Sequence, residues 1–148
     1  MTDRSIAFGI TAELENVALV GLSVRAVCRA NGMTDEGAAD IELAVVEALT
    51  NIVRHGQGPA DGRIRTKVRI SRRKVVIEIT DHGTPIPRER LDCPVETALA
   101  FNPATVPTGG RGIALIRLSV DAMTYESAEG VNRLRLTKRF GPAAETPG

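Results

Sequence analysis

Three features of the sequence predict an α+β fold, a two-layer sandwich with a mixed, mostly antiparallel sheet and its helices on one face. Apolar residues recur at helical spacing in two consecutive segments, 14–28 and 41–52. Period-two alternation marks strands on either side of them. The elements follow the order β-α-α-β-β, a long loop, then α-β-β, and this segregation of helices from strands is the α+β signature.

The first strand is expected at Ile6, Phe8 and Ile10, with Thr11 as the N-cap of the helix that follows. Leu14, Val17, Gly21, Val24 and Cys28 form that helix's apolar stripe, which stops at Asn31-Gly32. Thr34 or Asp35 opens a second helix running to about His55, with Ile41, Val45, Ala48 and Ile52 on one face, before Gly56 and a Gly58-Pro59 loop. Residues 63–70 alternate strictly, with Arg63, Arg65, Lys67 and Arg69 on a solvated face and Ile64, Thr66, Val68 and Ile70 on a buried one. A polar turn at 71–74 leads into a second strand bearing Val75, Ile77 and Ile79, so the pair reads as an antiparallel hairpin. Five prolines interrupt residues 83–112, a long loop with short helical pieces near 95–101, of the kind that serves as a functional lid or a disordered insert. A helix over 112–121 and strands over 122–127 and 132–140 complete the chain.

The 148 residues make one domain, 1–140, with a Pro/Gly/Ala-containing tail at 141–148 expected to fray. With 43% hydrophobic residues the domain needs neither metal nor disulfide to hold its core. Nineteen Lys and Arg against 18 Asp and Glu leave a net charge of +1, which attracts no polyanion. One Tyr, three Phe and no Trp offer little to stack bases on, so a dedicated nucleic-acid binder is excluded. Cys28 and Cys93 fit no metal-ligand spacing and read as reduced thiols. The N-terminus lacks the basic start and apolar run of a secretory signal, and nothing approaches the ~20 apolar residues of a membrane span. A soluble, cytoplasmic protein without a membrane partner is expected.

Three groups of residues could carry chemistry. Glu47, Asn51 and His55, four apart, stack along one edge of the second helix beside its apolar stripe. A carboxylate there can act as a general base, and an amide oxygen can ligate Mg²⁺, a hard cation; a solvated helix edge would give the same spacing. Asp81-His82-Gly83 follows the buried strand 75–80, where a carboxylate can accept from an exocyclic amine and Gly83 permits close approach of a ring; an ordinary Asp-x-Gly turn reads the same way. Thr108-Gly109-Gly110-Arg111-Gly112 precedes a helix expected to begin at Ile113, an arrangement suited to phosphate or to a lid hinge. It is not a Walker A loop, since no Gly-Lys-Ser/Thr follows.

In this order and at these separations, the three segments resemble the N, G1 and G2 boxes of the GHKL (Bergerat) ATPase superfamily. The compact length, the segment ELAVVEALTN at 42–51 and the short lid resemble the anti-sigma-factor serine kinases of bacterial partner-switching systems, over roughly residues 5–140. That resemblance implies ATP and Mg²⁺ as cofactors. It further implies Glu47 as the general base toward a substrate serine, Asn51 as the Mg²⁺ ligand, and His55 closing the same box. Asp81 would recognise adenine with Gly83 beneath the ring, Gly110 and Gly112 would cradle phosphate with Arg111 in the lid between them, and Arg25 would dock a partner. Pro85 stands where many members have a second glycine, and residues 132–134 replace a usual Gly-Thr pair, so no residue is assigned to the adenine pocket's far wall. The implied substrate is a STAS-domain anti-anti-sigma protein, the implied captive a sigma factor or other regulator, and a homodimer is the family expectation. The alternative is a binding module that uses ATP as a switch without phosphotransfer. A histidine-kinase fragment is the weaker third reading, because the chain has no room for a separate phosphoacceptor helix pair.

Overall fold

The computed structural model describes residues 3–56, 62–100 and 110–141. Five strands, β1 (Arg4–Thr11), β2 (Arg63–Ser71), β3 (Lys74–Asp81), β4 (Ala122–Ala128) and β5 (Val131–Arg139), form one sheet in the order β1-β2-β3-β5-β4. Every pairing in it is antiparallel, which corrects the expected mixed sheet. After β3 the chain leaves the sheet, and it returns as a hairpin whose second strand pairs with β3, so the far ends of β3 and β5 meet at the register pair Asp81↔Asn132.

The helices are α1 (Leu14–Ala30), α2 (Asp35–His55), α3 (Arg88–Leu91), α4 (Val95–Leu99) and α5 (Gly110–Ser119). Thr34 caps α2, its Oγ1 accepting from Gly37 N at 3.1 Å, and Asp35 and Glu36 sit where the helix dipole favours negative charge. Thr11 does not cap α1. It is the last residue of β1, the N-cap is Glu13 without a side-chain bond, and Asn16 Nδ2 instead reaches back to Thr11 O at 3.2 Å and Oγ1 at 3.0 Å. The strand-to-helix corner is thus closed from inside the helix, leaving Thr11 free to continue the ladder opposite Arg63. α5 both starts and ends two residues earlier than expected, so Gly110, Arg111 and Gly112 form its first turn and do not precede it. α4 matches the expected helical piece near 95–101, whereas α3 had no periodic signal. Residues 57–61, with the Gly58-Pro59 loop, residues 101–109, with Thr108 and Gly109, and the tail from 142 lie outside the described residues.

α2 is the central helix, packed between α1 and α5. Its approach to α1 depends on Gly21, where a Cβ would stand 2.6 Å from Val46 Cγ2. Ile41, Val45, Ala48 and Leu49 of α2 meet Val17, Val20 and Val24 of α1, Ile113 and Ile116 of α5, and the inward residues of β2, β3 and β5 in one core. On β2 the alternation is as expected: Ile64, Thr66, Val68 and Ile70 are buried, Arg63, Arg65 and Arg69 exposed, and Lys67 half-buried. The helix-free face also carries Arg133 and Arg135, and Arg135 donates to Glu78 at 2.9 Å, a bond that holds the Glu78 carboxyl below its usual range. Cys28 lies in the core, where burial pushes its thiol up to about 11, so it forms no reactive thiolate.

Candidate functional site

Alternation along β3 carries past Val75, Ile77 and Ile79 to Asp81, so its carboxylate falls on the helix side of the sheet as the strand's last residue and is 6% exposed. It does not follow the strand, as the sequence reading had it. A carboxylate in that position must be hydrogen-bonded or solvated. Asp81 Oδ1 accepts from Gly83 N and from Asn132 Nδ2, both at 2.9 Å. Asn132 lies on the buried face of β5, donates also to Gly83 O at 2.9 Å, and accepts from Ser127 Oγ at 2.6 Å. The amide is therefore fully engaged, and Oδ1 of Asp81 is committed to the protein. Among the described residues no donor reaches Oδ2. Gly83 is required by a close approach of the chain itself: a Cβ there would stand on the carbonyl oxygen of Gly56, at the end of α2.

That contact joins the strand end to the helix edge predicted to carry chemistry. Asn51 and His55, one turn apart on α2, line a cavity of about 60 Å³ together with Asp81, Ile86, Arg90 and Tyr125. Asn51 is 9% exposed, and its Oδ1 accepts from Arg90 Nη1 at 3.3 Å. His55 is held below its ordinary value of 6.5, first by partial desolvation and then by the neighbouring guanidinium groups of Arg90 and Arg54. The Tyr125 hydroxyl accepts from Ile86 N at 2.9 Å and so fixes the segment after Gly83 across the cavity; burial raises its pKa.

One turn earlier on α2, Glu47 does not line the cavity but faces the first turn of α5. A Cβ on Gly112 would lie 3.0 Å from Glu47 Oε2, so the glycine admits the carboxylate to the helix terminus. The first-turn N–H groups of an α-helix have no partner within the helix, which makes that terminus a place for anions. Gly110 is the first residue of this turn, and Arg111 projects from it exposed. Thus Asp81, Asn51 and His55 line one cavity, with Gly83 bonded to Asp81, while Glu47 lies against Gly112 in the first turn of α5, which also holds Gly110 and Arg111. Arg25 belongs to neither group: it pairs with Glu42 at 3.1 Å on the α1–α2 surface, its side chain 41% exposed. A groove of about 470 Å³ on the opposite sheet face, lined by Arg63, Arg65, His82 and Arg133, holds none of the predicted site residues.

Two residues that line the cavity, Tyr125 and Arg90, and Asn132, which bonds to Asp81, were given no role from the sequence. Asn132 had a usable signal, since it extends the buried alternation of Leu134 and Leu136. Tyr125 and Arg90 had none, because their places depend on pairing and loop geometry far along the chain.

Residues 10–138 match the histidine kinase-like ATPase domain family. The chain is similar to an anti-sigma F factor of Clostridium botulinum, with 29% identity over 142 residues that cover 95% of this chain and 97% of the relative. It is also similar to the serine-protein kinase RsbW of Listeria innocua, with 30% identity over 131 residues covering 86% and 82%. Among solved structures, the RsbU and RsbW domains of Rv1364c from Mycobacterium tuberculosis superpose with a TM-score of 0.69 at 19% identity, covering 95% of this chain and 34% of that one. The chain therefore spans about a third of that solved protein. A chain of the SiaB-SiaC complex from Pseudomonas aeruginosa offers a weaker likeness in fold, with a TM-score of 0.53 at 15% identity, covering 90% of this chain and 88% of that one. An antiparallel sheet roofed by α1, α2 and α5, a family match over most of the chain and relatives covered over most of their length lead to one conclusion: the protein belongs to the histidine kinase-like ATPase family, in its branch of anti-sigma serine kinases.

Proposed function

We propose that the protein is a Mg·ATP-dependent serine kinase of a partner-switching module, phosphorylating a STAS-domain anti-anti-sigma protein and otherwise holding a sigma factor or other regulator. The observation that carries this reading is the contact of Glu47 with Gly112. It supports the reading because a carboxylate against the first turn of α5 could accept a proton beside bound phosphate, which a nucleotide-gated docking module would not need. In the transfer, the serine oxygen bonds to the γ-phosphorus, the bond from that phosphorus to the β,γ-bridging oxygen breaks, and ADP departs. The hydroxyl proton passes to the Glu47 carboxylate. Asp81 Oδ2 accepts from the adenine amine, with Asn132 holding the carboxylate by its other oxygen. His55 and Gly83 border the base, and Gly110, Arg111 and Gly112 receive the phosphates.

The amide oxygen of Asn51 suits Mg²⁺, being a neutral hard donor aimed into the cavity from a rigid helix. Among the described residues no group of three His, Cys, Asp or Glu side chains could hold a metal, so phosphate oxygens and water would complete the shell. When bound, the ion neutralises charge on the phosphates being separated.

Arg25 is the proposed docking residue for the partner. Leu19 and Leu22, exposed on the same helix, supply apolar area beside it. Among the described residues no helix is long and apolar enough to cross a membrane, in keeping with the cytoplasmic setting we propose, where the protein acts as a homodimer. The deciding experiment supplies γ-labelled ATP, Mg²⁺ and a purified STAS partner. Label on a partner serine, lost in Glu47→Ala while partner binding survives, supports the kinase. ATP-dependent partner binding without any transfer by the unmutated protein overturns it in favour of a switch.

A further inference from the structure

The bond between Arg90 and Asn51 has a consequence for metal loading. Asn51 Oδ1 is the atom assigned above to the metal, and in the structure it accepts from a guanidinium at 3.3 Å. Arg90 comes from α3, a four-residue helix with no buried residue, so nothing in α3's own packing places this side chain. The placement comes from α5: Arg117 Nη2 donates to Leu91 O, and its Nη1 donates to Cys93 O at 3.4 Å. One guanidinium thus fastens the end of α3 to the helix whose first turn faces Glu47, and a second reaches from α3 to the buried amide. The cavity that Arg90 and Asn51 line, about 60 Å³, is well below the ~300 Å³ at which ligand pockets begin, so a nucleotide must move something to enter. Arg90 is half-buried in the cavity and held there by one long bond.

We infer that Arg90 is a placeholder cation for Asn51: its guanidinium satisfies the amide oxygen until a nucleotide-borne divalent ion displaces it, so metal affinity is set by competition with this side chain. The inference rests on Asn51 being the metal ligand, as proposed above. A guanidinium stays charged at every accessible pH, and although the amide oxygen has two lone pairs, a divalent ion coordinated to it at ~2.1 Å repels a guanidinium held on the same atom. Asn51 is therefore available to the metal only in the fraction of molecules whose Arg90 has swung away. Arg117, by fastening α3, keeps that fraction small.

The test measures Mn²⁺ affinity, by electron paramagnetic resonance, of the ADP-loaded full chain. If Asn51 is free about a tenth of the time, Arg90→Ala tightens Mn²⁺ binding about tenfold, because apparent affinity scales with the competent fraction. Arg90→Lys, a shorter-reaching point charge, falls between, and Arg117→Ala shifts in the same direction by less. An unchanged or weaker Mn²⁺ affinity in Arg90→Ala, with ADP still bound, overturns the placeholder role. Asn51→Ala separates the two claims: if it loses Mn²⁺ while Arg90→Ala changes nothing, only the placeholder falls. If Asn51→Ala binds Mn²⁺ as tightly as the unmutated protein, the metal assignment and the placeholder fall together.

Discussion

The two ends of the site are built by different means. At the sheet end, Asp81 and Asn132 are register partners on adjacent strands, and with Gly83 and Ser127 they form a network of four bonds between 2.6 and 2.9 Å. At the helix end, Asn51 has one bond at 3.3 Å, from a side chain on a helix that buries nothing. Strand pairing fixes donors and acceptors before any ligand arrives, so the proposed recognition of the base there would carry little reorganisation. The end proposed for phosphate and metal is left adjustable, as would suit a site that must admit a charged group, perform a transfer and release the product.

The largest effect is expected where chemistry alone is removed. Glu47→Gln should lower phosphotransfer by about 10²- to 10⁴-fold with nucleotide affinity retained, as read from single-turnover transfer and calorimetric titration. A parallel loss of nucleotide affinity would place Glu47 in the binding end and erase the distinction drawn here.

Next come changes that break the rigid end itself. Gly83→Ala puts a methyl against the Gly56 carbonyl, backbone against backbone, and should destabilise by about 1–3 kcal/mol in urea unfolding, as overpacking does. Asn132→Ala leaves Asp81 and Gly83 without their shared donor, and should cost about 1–3 kcal/mol as well as weaken nucleotide binding. If Asn132→Ala binds nucleotide normally, Asp81 does not need its partner and the sheet end is less pre-organised than its bonds suggest.

How much of this was legible in the sequence follows the same division. The apolar stripe of α2 and the strict alternation of β2 are local patterns, and they located Glu47, Asn51, His55 and the buried face of the sheet. Asp81 and Gly83 were visible as a short motif, but the reason for Gly83 was not, because Gly56 lies 27 positions away and meets it only through packing. Asn132 is 51 residues from Asp81, and their contact exists only once β5 has paired with β3. Thr11 looked like a cap because its residue type favours that role; the ladder with β2 prevailed over that local preference. The glycines of α5 looked like a loop because glycine is a poor helix former, yet in a first turn their freedom costs little and Gly112 makes room for Glu47.

A smaller gain is expected in the core. Thr66 is fully buried, and its Oγ1 finds no hydrogen-bond partner. Thr66→Val removes that unsatisfied hydroxyl at nearly the same shape and should stabilise the protein by about 1 kcal/mol, seen as a raised unfolding midpoint. Unchanged or lower stability would mean that the hydroxyl is satisfied in solution.

The smallest effect concerns pH. His55 is held below 6.5 in the folded protein, so on acidification the unfolded chain takes up the proton first and stability declines as pH falls below that value. Arg90→Ala should move the His55 titration, followed by proton NMR, back toward 6.5. No movement would show that desolvation and Arg54 set it, and that Arg90 does not dwell over this end of the cavity.

The most direct test of the two-ended site is a thermal-shift titration with ATP, with and without Mg²⁺, on the unmutated protein, Asp81→Ala and Asn51→Ala. A ligand at ~100 times its dissociation constant stabilises by about 2.7 kcal/mol. Asp81→Ala should abolish stabilisation by ATP under both conditions, whereas Asn51→Ala should keep the metal-free part and lose only the increment that Mg²⁺ adds. Equal stabilisation of all three proteins, or loss of the Mg²⁺ increment in Asp81→Ala alone, would contradict the assignment of base recognition to the sheet end and metal binding to the helix end.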